Sequence, residues 1–171
     1  CGFAKSDSSR ETPNLQFHVQ PISTDVLGKS KLHDFHGITP TVANVRPSSR
    51  GEISLKSADN REPPKIQMNY LSTEDDRMVA AKGLKLVRRI IMETETFKKY
   101  EPEEYRPGAN IEDDEELVKA GSEYAQTIFH PVGTCKMGSD ENAVVDDKLR
   151  VHGINNLRAV SYTHLRAHET R

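Results

Sequence analysis

Apolar and polar positions change period along the chain, and the changes mark its elements. NLQFHVQPI (14–22) alternates, with Leu15, Phe17 and Val19 on one side and Gln16, His18 and Gln20 on the other. Period-two alternation predicts a half-buried strand. Residues 23–37 read as a loop containing Gly28 and Gly37. ITPTVANVRP (38–47) reads as a second strand, PSSRG as a turn, and GEISLKSAD (51–59) as a third strand with Ile53 and Leu55 facing one way. Two strands joined by a turn across 40–57 are expected to pair antiparallel. NREPPKIQMNYLS carries two prolines and predicts a connection with at most a short edge strand. Residues 1–13 are polar and are expected to be loose.

The period turns helical at Ser72. Ser72 and Asp75 have capping-box spacing, with an aspartate in place of the usual glutamate. Met78, Ala81, Leu84, Leu86, Val87, Ile90 and Ile91 recur at helical spacing, predicting a helix over 73–92. Its basic end, Lys85, Arg88 and Arg89, suits the negative end of the helix dipole. An acidic, proline-containing connector follows. Asp113 and Glu116 then repeat the cap spacing before a helix predicted over 114–128. Pro131 disfavours helical backbone at His130, which places the imidazole just past a helix end. GTCKMG, AVVDDKLRVHG and NLRAV read as short extended pieces.

With 171 residues, the chain is long enough for a domain with a real core. Its hydrophobic share is 35% and its charged share 29%, polar for a globular chain, but recurrent apolar runs set it apart from disordered sequences. A net charge of -2 gives no electrostatic case for nucleic acid. No apolar run approaches the roughly 20 residues of a membrane span, and CGFAKSDSSRETPNL has no apolar signal-peptide core. Cys1 and Cys135 are too few for a disulfide framework, and a reducing compartment is the plainer expectation. A start on Cys1 rather than methionine points to a fragment.

Pattern alone offers few candidates for chemistry. His130 reads either as a general base, since imidazole titrates near neutral pH, or as a helix C-terminal cap. His130 and Cys135 as zinc ligands need two more partners, and no C-x-x-C or second histidine cluster supplies them. Cys135 as a nucleophile lacks an assignable base, so a small buried thiol is the simpler reading. His18, His33, His36 and His152 read as strand or loop residues. The acidic run 112–116 reads as a solvated helix start, and Arg46, Arg50, Arg88 and Arg89 as surface or ion-pair residues. There is no G-x-G-x-x-G, P-loop or convincing metal motif.

Five blocks then occur in one order: VRPSSRGEISLKSAD, PPKIQMNYLSTEDDR, EYRPGANIEDDEEL, TIFHPVGTCKMG and AVVDDKLRVHGINNLR. Over about residues 14–159 the chain resembles the C-terminal region of the glucose–methanol–choline (GMC) oxidoreductases, and within them the choline dehydrogenase type. The resemblance implies an α+β fold: a predominantly antiparallel sheet backed by helices, the substrate-binding domain of an FAD enzyme. It divides the chain into a loose segment 1–13, a substrate-binding domain 14–128, an active-site segment 129–160 returning to the FAD domain, and a non-native tail 161–171. It implies oxidation of a primary alcohol, with His130 taking the hydroxyl proton and the flavin accepting hydride. Phe129 would line the substrate pocket, and Phe129 and His130 would lie beside the flavin.

Two departures qualify that expectation. The family's glycine-rich dinucleotide fold is missing, so the chain is expected to need an FAD-binding domain as partner and to be inactive alone. The family's continuation after NLR, with its second catalytic His or Asn, is replaced by AVSYTHLRAHETR, and His164 and His168 do not stand in for it. The alternatives are a non-catalytic small-molecule binding module and a lyase of the same family. The substrate, the electron acceptor and a cytoplasmic or membrane-peripheral location stay open. Tyr70, Tyr105 and Tyr124 read as pocket or core residues, with core the simpler choice for a chain in which no cation-binding set can be placed.

Overall fold

The computed structural model describes residues 1–26 and 30–160. They form two compact units, Cys1–Gln126 and a unit that begins at Thr127. The first has the expected α+β architecture of antiparallel sheets and helices. β1 (Gly2–Ala4), β2 (Leu15–Gln20) and β3 (Thr39–Asn44) make an antiparallel sheet in the order β1-β2-β3. β4 (Glu52–Ser54) and β5 (Lys65–Gln67) make a separate ribbon. α1 (Glu74–Glu93), α2 (Glu95–Lys98) and α3 (Asp114–Ser122) follow, with α1 packing against β3, α2 and α3.

The register fixes which sheet face is covered. Leu15 pairs with Asn44 and Phe17 with Val42. Gly83 of α1 backs onto the side chains of Val42 and Leu15. Leu15, Val79, Ala81 and Leu117 are fully buried, so the core lies between this face, α1 and α3. Burying each of the larger side chains is worth about 1.5–3 kcal/mol.

Several expectations are corrected. β3 does not pair with β4: it pairs with β2, and β4 with β5, because the turn 45–51 is held by α1. The polar run 1–13 is not loose. β1 pairs with β2, Asn14 exchanges hydrogen bonds with Ser6, Asp7 meets Lys82 at 2.9 Å, and Arg10 pairs with Asp75. Thr73, not Ser72, caps α1, its hydroxyl accepting from the Asp76 amide at 3.3 Å. α1 runs on to Glu93, so Lys85, Arg88 and Arg89 lie before its last turn. Lys85 instead reaches Asp114 at 2.5 Å, and Arg88 makes a two-pronged pair with Glu104 at 2.6 and 2.8 Å. Met78 and Ile90, counted in the apolar stripe, are exposed. Asp113 caps α3 as predicted, accepting from the Glu115 and Glu116 amides.

The second unit is irregular. Isolated bridges join Met137 to Val145, Val145 to Val151, and Arg150 to Arg158, around the fully buried Val145. The predicted non-native tail 161–171 and Gly28 lie outside the described residues.

Candidate functional site

α3 ends at Ser122, so His130 does not follow a helix end. Its constraint comes from its neighbours. Phe129 sits in the left-handed region at φ 60°, and its amide donates to the Thr127 hydroxyl at 3.0 Å. Pro131 restricts His130 from the other side, and Gly133 turns the chain again at φ 109°. A left-handed phenylalanine costs on the order of 1 kcal/mol. Both residues are exposed, Phe129 at 76%. The two residues predicted for the site, adjacent in sequence, thus lie on constrained backbone.

Further along this unit the backbone is organised by Asp146. One of its carboxylate oxygens accepts from the Lys148 and Arg150 amides, each at 2.9 Å, and the other accepts from the Arg150 guanidinium at 2.6 Å. The Arg150 guanidinium, with its backbone amide, holds the Asp146 carboxyl down at about 2. This closes a turn in which Leu149 adopts φ 63°. His152 is structural: its amide donates to the Val144 carbonyl, and its Nε2 lies 3.0 Å from the Gly138 carbonyl oxygen. Cys135 is half-buried rather than buried. Among the described residues, no group of three or more His, Cys, Asp or Glu side chains could hold a metal.

Sequence reasoning missed a cluster in the first unit. His33 stacks on Phe35 at 4.7 Å and meets Tyr105 edge-on at 5.2 Å. The Arg106 guanidinium lies over Tyr105 at 5.1 Å and Tyr124 at 4.3 Å, and it pairs with Asp25 at 2.7 Å. Neither tyrosine is core, and Tyr70 is exposed as well. Arg106 already covers the ring faces that a ligand cation would use. The only sequence signal is the Tyr-Arg pair at 105–106.

An FAD pyrophosphate needs a helix N-terminus open to anions. α1 begins with Glu74, Asp75 and Asp76, and α3 with Asp114, Glu115 and Glu116. Those carboxylates repel phosphate, so neither helix fits as a pyrophosphate cradle.

The family model of GMC oxidoreductase, in its C-terminal form, matches residues 47–163. The chain belongs to the GMC oxidoreductase family. It is 40% identical over 159 residues to the oxygen-dependent choline dehydrogenase of Citrobacter koseri, covering 93% of this chain and 28% of that protein. The chain therefore spans less than a third of the length of such relatives. A variant formate oxidase of Aspergillus oryzae RIB40, studied for its FAD modification, is 31% identical with a TM-score of 0.67, over 77% of this chain and 23% of that one. Pyridoxine 4-oxidase from Mesorbium loti shares the fold, with a TM-score of 0.76 at 23% identity, over 91% of this chain and 31% of that one. Among the described residues of this GMC chain, no helix is long and apolar enough to cross a membrane.

Proposed function

We propose that the chain is the substrate-side, C-terminal part of an FAD-dependent GMC oxidoreductase of the choline dehydrogenase type, acting on a primary alcohol. The observation that carries this reading is the family match over 47–163, which spans the segment holding His130. Residues 14–128 form the substrate-binding part and 129–160 the active-site segment. His130 takes the hydroxyl proton as the alcohol carbon becomes a carbonyl carbon. Constrained backbone on both sides aims the imidazole before substrate arrives. Phe129 walls the alcohol from water, strengthening polar contacts to the developing alkoxide. FAD, when bound, supplies the acceptor for the hydride. The acid-lined helix ends described above support a reading in which another part of the protein holds it.

The test is to join residues 14–159 to the flavin-binding part and native C-terminal tail of a choline dehydrogenase and follow alcohol-dependent dye reduction. His130→Ala is expected to lower the rate about 10²–10⁴-fold with flavin still bound, the usual worth of a general base. Equal rates with and without the imidazole would remove His130 from the chemistry.

A further inference from the structure

His130, Pro131 and Val132 lie between two residues of positive φ, Phe129 at 60° and Gly133 at 109°. At Gly133 nothing lies within 4 Å of where a Cβ would stand, so glycine serves there for its backbone freedom and not for space. Phe129 lacks that freedom, because in the left-handed region its Cβ crowds the following carbonyl oxygen. Its surroundings must hold it there. Burial contributes little, since residues 128–134 are all exposed. The residue just before this run, Thr127, is half-buried, and its hydroxyl accepts the Phe129 amide at 3.0 Å. The bond spans two residues and folds the backbone into a turn. An ordinary hydrogen bond is comparable in worth with the cost of a left-handed aromatic residue, so its loss is enough to release Phe129.

We propose that Thr127 is a positioning residue for proton removal: its hydroxyl holds Phe129 in the left-handed region and so fixes the direction in which the backbone enters His130. The inference rests on His130 being the base, as proposed above, and adds the residue that sets its geometry. Two dihedral angles around the imidazole are then restricted. The hydrogen bond holds φ of Phe129, and the Pro131 ring limits ψ of His130. Moving φ of Phe129 from 60° to the ordinary helical or extended range turns the chain after it by roughly 120° or more relative to Thr127. A general base acts only within hydrogen-bond reach of the proton it removes, so a turn of that size takes the imidazole out of reach. Water can satisfy the Phe129 amide once the hydroxyl is gone, but water does not tie that amide to residue 127.

Three variants separate the hydroxyl from its shape. T127V keeps the branched side chain and loses the acceptor. T127S keeps the acceptor without the methyl group, and T127N has another shape but accepts the same amide. In the full 171-residue chain, a strong intraresidue nuclear Overhauser effect between the amide and α protons of Phe129 reports positive φ with no flavin present. It is expected in the parent, T127S and T127N, and should weaken in T127V. In the flavin-bearing fusion described above, T127V should lower kcat and kcat/KM together about tenfold, the worth of one hydrogen bond felt in the transition state, with KM and flavin content unchanged. T127S and T127N should recover most of that rate, and a residue that only stabilised the fold would leave the rate per bound flavin unmoved. A strong effect persisting at Phe129 in T127V, or a T127V rate equal to the parent's, overturns the proposal. H130A in the same fusion keeps the two readings apart. An unchanged rate in H130A removes the base and this inference with it, whereas a slow H130A beside an unchanged T127V removes Thr127 alone.

Discussion

Asp76 is the residue whose removal should cost the first unit most for its size. It is 3% exposed, and its carboxylate accepts four hydrogen bonds. Two come from the Ser48 and Ser49 backbone amides at 2.9 Å, and two from the Asn44 side-chain Nδ2 and the Ser48 hydroxyl at 3.2 Å. Asp76→Ala strands the backbone donors of Ser48 and Ser49, which lie on exposed and half-buried residues, so each is worth the lower half of the roughly 1–3 kcal/mol of a buried unsatisfied group. Allowing for water entry, a loss of about 3 kcal/mol is expected, a large share of the roughly 5–15 kcal/mol that holds an ordinary domain. Burial pushes the Asp76 carboxyl up, but hydrogen bonds from Ser49 and Ser48 outweigh it and hold it below its ordinary value. With the folded value depressed, this stabilisation is complete above the unfolded carboxylate range near 3.9 and is lost as pH falls through the folded value. Urea unfolding followed by circular dichroism should show the full difference between parent and Asp76→Ala at neutral pH and a smaller one in acid. A neutral-pH loss below about 1 kcal/mol would refute the reasoning, as would a difference that widens on acidification.

Two other changes test the packing around α1. A Cβ at Gly83 would approach Val42 Cγ2 at 3.0 Å and Cγ1 at 3.3 Å. Although leucine is the better helix former, Gly83→Leu should therefore destabilise by about 2 kcal/mol and lower the melting midpoint by about 4–8 °C. Arg88 binds Glu104 through two nitrogens and also donates to the Ile111 and Gly108 carbonyls. Arg88→Ala should cost about 2–4 kcal/mol in denaturant titrations, and Arg88→Lys should recover less than half of it because an ammonium cannot reproduce the planar fork.

Local signals were legible where local physics decides the outcome. The alternation of Leu15, Phe17 and Val19 marked β2, and Asp113 with Glu116 marked the start of α3. Strand pairing was not legible, because partner choice depends on contacts distant in sequence. The turn after β3 looked like a hairpin, yet Asp76 captures the Ser48 and Ser49 amides and steers β4 away to pair with β5. The same residue displaced the predicted cap: with Asp76 at the third helical position, Thr73 supplies the capping oxygen. Lys85 and Arg88 looked suited to the helix dipole, but α1 continues past them and they are used as bridges to Asp114 and Glu104.

The site was legible as an address but not as a geometry. Pro131 correctly signalled non-helical backbone at His130, but nothing in the sequence marked Phe129 as left-handed. An aromatic residue with positive φ persists only where its surroundings pay for it. Here the described support is one hydrogen bond from the Phe129 amide to Thr127, with proline two positions later. The strain serves a purpose if Phe129 must present its ring beside the His130 imidazole, the arrangement that the proposed alcohol site requires.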